Sequence, residues 1–260
     1  MIDHVSFSQL NMLLNCGIQY DFRYVQGIKI PPAAAVIRGA CGHRTNERNF
    51  RQKIESRIDL PKEEILATFS DEWEKGKYGI AWREEELAGD SVAKAEGKWK
   101  DSGIGLIGKY HEEQAPLVQP VLIEEKFRVE FHGDFPPLDG IIDRITEDES
   151  VEDDKFVGKT PPEDDALKDV QLTCYHLGYR AKFGKDPKAL RKRFAVDLKT
   201  PKTVVREAPP REKAQLDRFL FRLEAGMKSI KSGIFLPAAN GSWICSERWC
   251  GFFFLCKYHV

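Results

Sequence analysis

Apolar residues change period along this 260-residue chain, and the change divides it. Over positions 1–60 the spacing is helical. Leu10, Leu13 and Leu14 recur after Ser8, and a second run opens at Ala33, Ala34 and Ala35. Residues 61–115 are charged and poor in β-branched side chains, and Pro61 before Lys62, Glu63 and Glu64 has the make-up of a first helical turn. A helical insertion packed on the core is predicted there. From Pro120 the period falls to two. Val121–Ile123, Phe127–Phe131, Leu138–Ile145 and Val151–Val157 are β-rich and separated by turn residues, so they read as strands. A helix over Ala166–Phe183 and a strand over Arg193–Leu198 follow. The last predicted helix, Arg211–Lys231, carries a buried stripe of Leu216, Phe219, Leu220, Leu223, Met227 and Ile230. No internal repeat interrupts the pattern. The expectation is one α/β domain over 1–260, with its core at 120–200 and a C-terminal helix and tail at 211–260.

The strand pair after Pro137 holds the most informative chemistry. Alternation places Ile141, Asp143 and Ile145 on one face of the first strand and Val151, Asp153, Lys155 and Val157 on one face of the second. Two carboxylates and a lysine therefore lie among branched apolar neighbours. With the turn centred on Asp148, Asp143 and Asp153 are directly opposed, and like charges at that separation need a cation between them. A divalent metal with oxygen ligands is one remedy, and Lys155 could then orient a water or face a phosphate. The bland alternative is an acidic patch beside a turn. A second Asp-x-Lys, Asp197-Leu198-Lys199, has no opposed carboxylate before it and reads as non-catalytic.

Two helices add polar faces. Gln171 and Tyr175 are four apart, beside the apolar Val170, Cys174 and Leu177, and Gly39, His43 and Glu47 share a face of the early helix. Among six cysteines, Cys245, Cys250 and Cys256 fall within the last sixteen residues. Their gaps of four and five residues differ from the Cys-x₂₋₄-Cys pairs of common zinc sites. A closed Cys₄ site needs a fourth ligand, and Cys16 is the candidate, which would clasp the two chain ends. Trp243, Trp249, Phe252, Phe253, Phe254 and Tyr258 would shield such a site, whereas Cys41 and Cys174 read as small core residues.

Gly140-Ile141-Ile142-Asp143, followed ten residues later by Asp153-Asp154-Lys155, resembles the motif of the PD-(D/E)XK nucleases. Gln171-Leu172-Thr173-Cys174-Tyr175 is similar to the Gln-x-x-x-Tyr segment of their RecB-like, CRISPR-associated exonuclease branch, and Gly39 to Glu47 to its Gly-x-x-x-His-x-x-x-Glu segment. The resemblance runs from Ser6 to Cys256 in the family's order. It implies a restriction-endonuclease-like α/β core, a central mixed sheet flanked by helices. It implies Mg or Mn held by His43, Asp143, Asp153 and the backbone carbonyl of Asp154, with Lys155 activating water and Gln171 and Tyr175 lining the site. Glu124 or Glu125 would be a further carboxylate. One N-terminal and three C-terminal cysteines also resemble the iron–sulfur subset of that branch, implying a [4Fe–4S] cluster on Cys16, Cys245, Cys250 and Cys256. Gly17 stands where that subset commonly has proline and the first C-terminal gap is long, so zinc stays the alternative. The implied activity is a metal-dependent deoxyribonuclease, an exonuclease on single-stranded DNA or DNA ends in recombination, repair or phage DNA processing. A non-catalytic DNA-binding iron–sulfur module that docks into a recombination or CRISPR-adaptation complex is the alternative.

Composition changes the picture in one respect. Forty basic and forty-one acidic residues leave a net charge of −1, which by itself speaks against a nucleic-acid partner. The charge is unevenly spread, however. Between Ala181 and Ser232 fifteen lysines and arginines face six acids, and between Asp143 and Asp169 eleven acids face four basic residues. Lys182, Arg191, Lys192 and Arg193 are therefore the expected contacts to a DNA backbone. No run approaches the ~18 apolar residues of a membrane helix, and no signal peptide is visible, so a cytoplasmic setting without a membrane partner is expected.

Overall fold

The computed structural model describes residues 3–131, 133 and 135–259. In chain order the helices are α1 (Phe7–Asn15), α2 (Gly17–Tyr20), α3 (Ala34–Ser56), α4 (Lys62–Gly76), α5 (Glu84–Leu87) and α6 (Val92–Glu113). They continue as α7 (Asp165–Lys168), α8 (Val170–Phe183) and α9 (Lys213–Ser232). The strands are β1 (Val5–Ser6), β2 (Pro120–Val129), β3 (Leu138–Thr146), β4 (Val151–Val157), β5 (Leu190–Val196) and β6 (Lys202–Ala208). The chain divides into two compact units, Met1–Ile30 with Phe127–Gly140 and Arg211–Val260, and Pro31–Lys126 with Ile141–Pro210.

The second, larger unit holds the mixed sheet. β3 and β4 are antiparallel, β4 and β5 parallel, and β5 and β6 antiparallel. The parallel pair is possible because α8 provides the crossover between β4 and β5. Helices flank the sheet, and apolar side chains fill the space between. Phe50 of α3, Leu106 and Tyr110 of α6, Ile123 and Ala195 form one cluster, with Phe156 packed against it. Ile65, Phe69 and Trp73 of α4 form another with Cys41 and Ile107. The charged stretch 61–115 is thus the helical layer that its composition predicts, and α4 begins directly after Pro61.

Several elements differ from the sequence pattern, among them the strands expected at Val121–Ile123 and Phe127–Phe131, which are the single strand β2. The helix expected over Ala166–Phe183 breaks at Asp169, which leaves helical geometry at ψ 123 and caps α8 through its carboxylate on the Leu172 amide at 2.7 Å. β5 starts at Leu190, so the basic run before Phe194 lies inside a strand. β6 was not foreseen, because an edge strand half open to water carries little apolar alternation.

In the first unit, Ser6 and Gln9 form a reciprocal capping box that starts α1, and α9 ends at Gly233 with the left-handed backbone expected after a helix. β1 runs parallel to Leu138–Asp139 of β3. The α9 stripe buries Leu216, Phe219, Leu223 and Met227 as predicted. Cys16, Cys245, Cys250 and Cys256 line one small pocket of this unit as free thiols.

The expected iron–sulfur clasp, and zinc as its alternative, are corrected here. Among the described residues no group of three or more His, Cys, Asp or Glu side chains is arranged to hold a metal ion. The thiols have amide donors instead. Gln19 Nε2 donates to Cys250 Sγ at 3.2 Å and the Tyr258 amide to Cys256 Sγ at 3.4 Å. Burial pushes the Cys250 thiol up, away from the thiolate that a metal requires. The surrounding aromatics do not form a shield either, since Phe252 is buried but Trp243, Trp249 and Phe254 are exposed.

Candidate active site

The turn after β3 is closed by Thr146, whose hydroxyl donates to Asp148 Oδ1 at 2.5 Å, and pairing resumes at Ile145↔Val151 and Arg144↔Glu152. Asp143 and Asp153 each lie one residue beyond the last registered pair, and Asp143 Oδ2 accepts from the Asp154 amide at 3.3 Å. α3 brings His43 over this pair. Its approach to β4 depends on Gly42, where a Cβ would stand 2.4 Å from the Phe156 ring. α8, started by Asp169, presents Gln171 and Tyr175 one turn apart toward the same place.

A continuous line of polar contacts joins these side chains. His43 Nδ1 lies 3.3 Å from Asp143 Oδ2, and the Tyr175 hydroxyl donates to Asp143 Oδ1 at 3.2 Å. Gln171 Nε2 donates to the Tyr175 oxygen at 2.7 Å, and Lys155 Nζ donates to Gln171 Oε1 at 3.0 Å. Lys155 Nζ also stands 2.9 Å and 2.7 Å from the two carboxylate oxygens of Asp153. Access is graded. The His43 and Lys155 side chains reach solvent, Asp143 less so, and Asp153 is closed off.

Burial and neighbours separate the titrations of these groups. Burial, reinforced by the charge of Asp143 and opposed by Lys155, pushes the Asp153 carboxyl up to about 7. Burial acts the same way on Asp143, but its hydrogen bond to His43 outweighs it and holds that carboxyl below the usual range. His43 is raised, because burial is overcome by Asp143 and the charges of Asp154 and Asp153 behind it. Lys155 is raised as well, its desolvation outweighed by Asp153. The site therefore offers Lys155 as a cationic donor and a His43 shifted toward its charged form, each beside a carboxylate.

Asp154, the next residue on β4, turns to the other face. Its carboxylate accepts from Asn46 Nδ2 at 2.8 Å, Tyr110 at 2.7 Å and Arg144 at 2.8 Å and 3.1 Å, while its amide donates to Asp143 Oδ2 at 3.3 Å. Arg144, stacked over Phe50, also holds Glu152, to which Arg193 of β5 donates from Nε and Nη2 at 2.8 Å each. Sequence reasoning passed over Arg144, Glu152, Tyr110 and Asn46. The available signal was an arginine and a glutamate alternating with the site residues on strands that have little polar face to spare.

The Mg or Mn site expected on His43, Asp143, Asp153 and Asp154 is likewise corrected, since no qualifying group of ligands is present among the described residues. The side chains are engaged with one another: Lys155 donates to Asp153 Oδ1 and His43 leans on Asp143, while the carboxylate of Asp154, distinct from the backbone carbonyl expected as a ligand, pairs with Arg144. Between the two candidate glutamates, Glu124 lines the pocket with His43 and Asp143, and Glu125 pairs with Lys182. The expected DNA contacts lie mostly within the fold. Lys192 and Arg193 are only 7% and 6% exposed, on Asp165 with Asp169 and on Glu152, and Arg191 pairs with Asp148 and Glu207. The second Asp-x-Lys is elsewhere, with Asp197 held by Arg38.

The sequence matches the PD-(D/E)XK nuclease superfamily over residues 4–257. The chain belongs to that superfamily. A nuclease-type role in general terms follows from this membership, without the iron–sulfur feature of one of its branches. Among solved structures, one named "Putative exonuclease" from Eubacterium rectale is similar at a TM-score of 0.53 and 12% identity, over 95% of this chain and 87% of that one. At that identity the likeness speaks to the fold alone. The structure of SSO0001 is similar over 65% of this chain and 81% of that one, at 14% identity and a TM-score of 0.34. No curated protein matches the chain. No helix among the described residues is long and apolar enough to cross a membrane.

Proposed function

We propose that this PD-(D/E)XK chain is a deoxyribonuclease that hydrolyses phosphodiester bonds at the site of Asp143, Asp153, Lys155, Gln171 and Tyr175, acting as an exonuclease on single-stranded DNA or DNA ends. The observation that supports this most directly is the unbroken contact line from His43 through Asp143, Tyr175, Gln171 and Lys155 to Asp153. Lys155 faces a phosphate with positive charge, which the transition state needs as negative charge builds on its oxygens, and His43 adds a hydrogen-bond donor beside it. Asp153, with a carboxyl near 7, takes through Lys155 Nζ the proton that the attacking water loses. Asp143 holds His43, and Gln171, itself hydrogen-bonded to Tyr175, holds Lys155 beside Asp153. The same set argues against a DNA-binding module that has lost catalysis, because such a module would have no use for a lysine held between two carboxylate oxygens.

The test is turnover of end-labelled single-stranded, duplex and circular DNA by the full chain, in buffers with and without a divalent cation. Linear substrates are degraded and circles spared. Asp153→Asn and Lys155→Met bind DNA but do not cleave it. Equal cleavage by both variants overturns the assignment.

A further inference from the structure

The register of β4, β5 and β6 shows what else lies on the face of the sheet that carries the site. Asp153 pairs with Lys192 and Lys192 with Arg206, Lys155 with Phe194 and Phe194 with Val204, and Val157 with Val196 and Val196 with Lys202. Paired side chains share a face and successive ones alternate, so Lys202 lies on the face of Asp153 and Lys155. It is two strands across and two residues along from Lys155, which sets the two Cα atoms about 12 Å apart. The loop after β4 crosses the same face, because Arg206 donates to the carbonyls of Pro162 at 2.8 Å and Pro161 at 3.0 Å. Lys159 sits in that loop, and Lys199 in the turn that joins β5 to β6.

All three lysines are exposed, and none makes an ion pair among the described residues. The acids of the same loop and turn are already engaged, Asp197 by Arg38, Glu163 by Arg206 and Asp164 by Lys168. Elsewhere in this unit exposed cations such as Lys62, Lys94, Lys98 and Lys185 do have acidic partners. Three uncompensated charges therefore gather at the carboxyl ends of the parallel pair β4 and β5, the edge where open α/β sheets bind their ligands. Ammonium groups on flexible stems suit the phosphates of a polynucleotide whatever its bases. We infer that Lys159, Lys199 and Lys202 hold the phosphates of the DNA strand that adjoin the one at Lys155. This deepens the nuclease reading and rests on it for the choice of DNA as the polyanion.

The test titrates fluorescein-labelled oligothymidylate with the full chain at several salt concentrations and reads anisotropy, in the Asp153→Asn background so that the probe stays intact. Replacing Lys159, Lys199 and Lys202 together by glutamine weakens binding by about tenfold or more at 0.1 M salt. It also makes the plot of log Kd against log salt shallower by about two, three contacts at roughly 0.7 each. Lys159→Gln and Lys202→Gln alone each give about a third of that change, and Lys188→Gln, just before β5 at the opposite end of the sheet, gives none. With Asp153 restored, the triple variant cleaves with raised KM and with kcat within a few-fold of the parent, because Lys155 keeps its partners. The three side chains are exposed, so melting of the variants should match the parent. A salt slope equal to the parent's in the triple variant overturns the inference, as does a change with Lys188→Gln equal to that of the single variants, or a parent that does not bind the oligonucleotide. Cleavage by the triple variant at the parent's KM defeats this inference and leaves the nuclease reading standing. A lysine-dependent slope in a chain that cleaves no DNA supports the inference and defeats only the enzyme reading.

Discussion

Asp153 and Asp154 are neighbours on β4 with opposite fates. The first points into the candidate site, where burial and Asp143 push its carboxyl up to about 7. The second points to the other face, where Arg144 outweighs burial and holds its carboxyl well below the usual range. The alternation of a strand is enough to separate a residue able to exchange a proton near neutrality from one locked as an anion.

Asp153→Asn and Lys155→Met are expected to lower the single-turnover cleavage rate by roughly 10²–10⁴. Lys155 is partly open to solvent and Asn is close in shape to Asp, so circular dichroism and melting should show both variants folded. A rate within a few-fold of the parent would show that neither group handles the proton.

The cleavage rate should rise with pH through about 7, as Asp153 gives up its proton and becomes able to accept one. Measuring kcat/KM from pH 5 to 9 reads this limb, and Asp153→Asn should flatten it. Persistence of the same limb in that variant would assign it to another group.

Acid should destabilise the larger unit. Asp154 and Glu152 are both depressed in the fold, Asp154 through Arg144 and Glu152 through Arg144 and Arg193, each against the cost of burial. Below the ordinary carboxylate range the unfolded chain binds protons that the folded chain refuses, so stability present above about pH 4 is lost as pH falls further. Replacing Glu152 by Ala leaves two buried arginines short of a counter-charge and should cost about 3–5 kcal/mol, read by urea unfolding at neutral pH.

Glu124 carries the reverse sign. Burial, with Asp143 and Glu47 nearby, pushes its carboxyl up to about 7, and its backbone sits at φ 53, a left-handed conformation that side chains disfavour. The folded chain keeps a proton that the unfolded chain releases, so stability is highest below the unfolded pKa and declines as pH rises through 7. Glu124→Gln should therefore gain roughly 1 kcal/mol at pH 8 and nothing at pH 4, a figure discounted for the solvent that screens a half-buried group.

Gly42→Ala tests how His43 is placed. The added Cβ would meet the Phe156 ring at 2.4 Å, and either the ring or α3 must shift. A loss of about 1–3 kcal/mol in stability is expected, with reduced cleavage if α3 carries His43 away from Asp143. Unchanged melting would mean that the ring gives way without cost.

Much of the site was legible because its parts are local. The short turn between β3 and β4 brings Asp143 and Asp153 to the same end of the strand pair, each one residue past its last registered pair, and helical periodicity sets Gln171 one turn from Tyr175. Those relations span ten residues or fewer and follow from backbone geometry alone. The choice of Glu124 over Glu125 was not local, because it depends on which side of β2 faces α3 and which faces Lys182 of α8. The partners of the basic run were not legible for the same reason. Arg191, Lys192 and Arg193 read as contacts to a DNA backbone, and the parallel pairing of β4 with β5 sets Arg193 opposite Asp154 and beside Glu152.

The sequence by itself determined the α/β order of elements, the opposed carboxylates with their lysine, and membership of a nuclease superfamily. Only the tertiary structure decided what each polar group is bonded to. Cys16 and the three late cysteines share a pocket without the arrangement that holds a metal, and the aspartates of the site are engaged by Lys155, His43 and Arg144. Composition and spacing specify which donors are near in the chain. Partnership depends on directions and distances between separate elements, and those exist only once the helices have packed on the sheet.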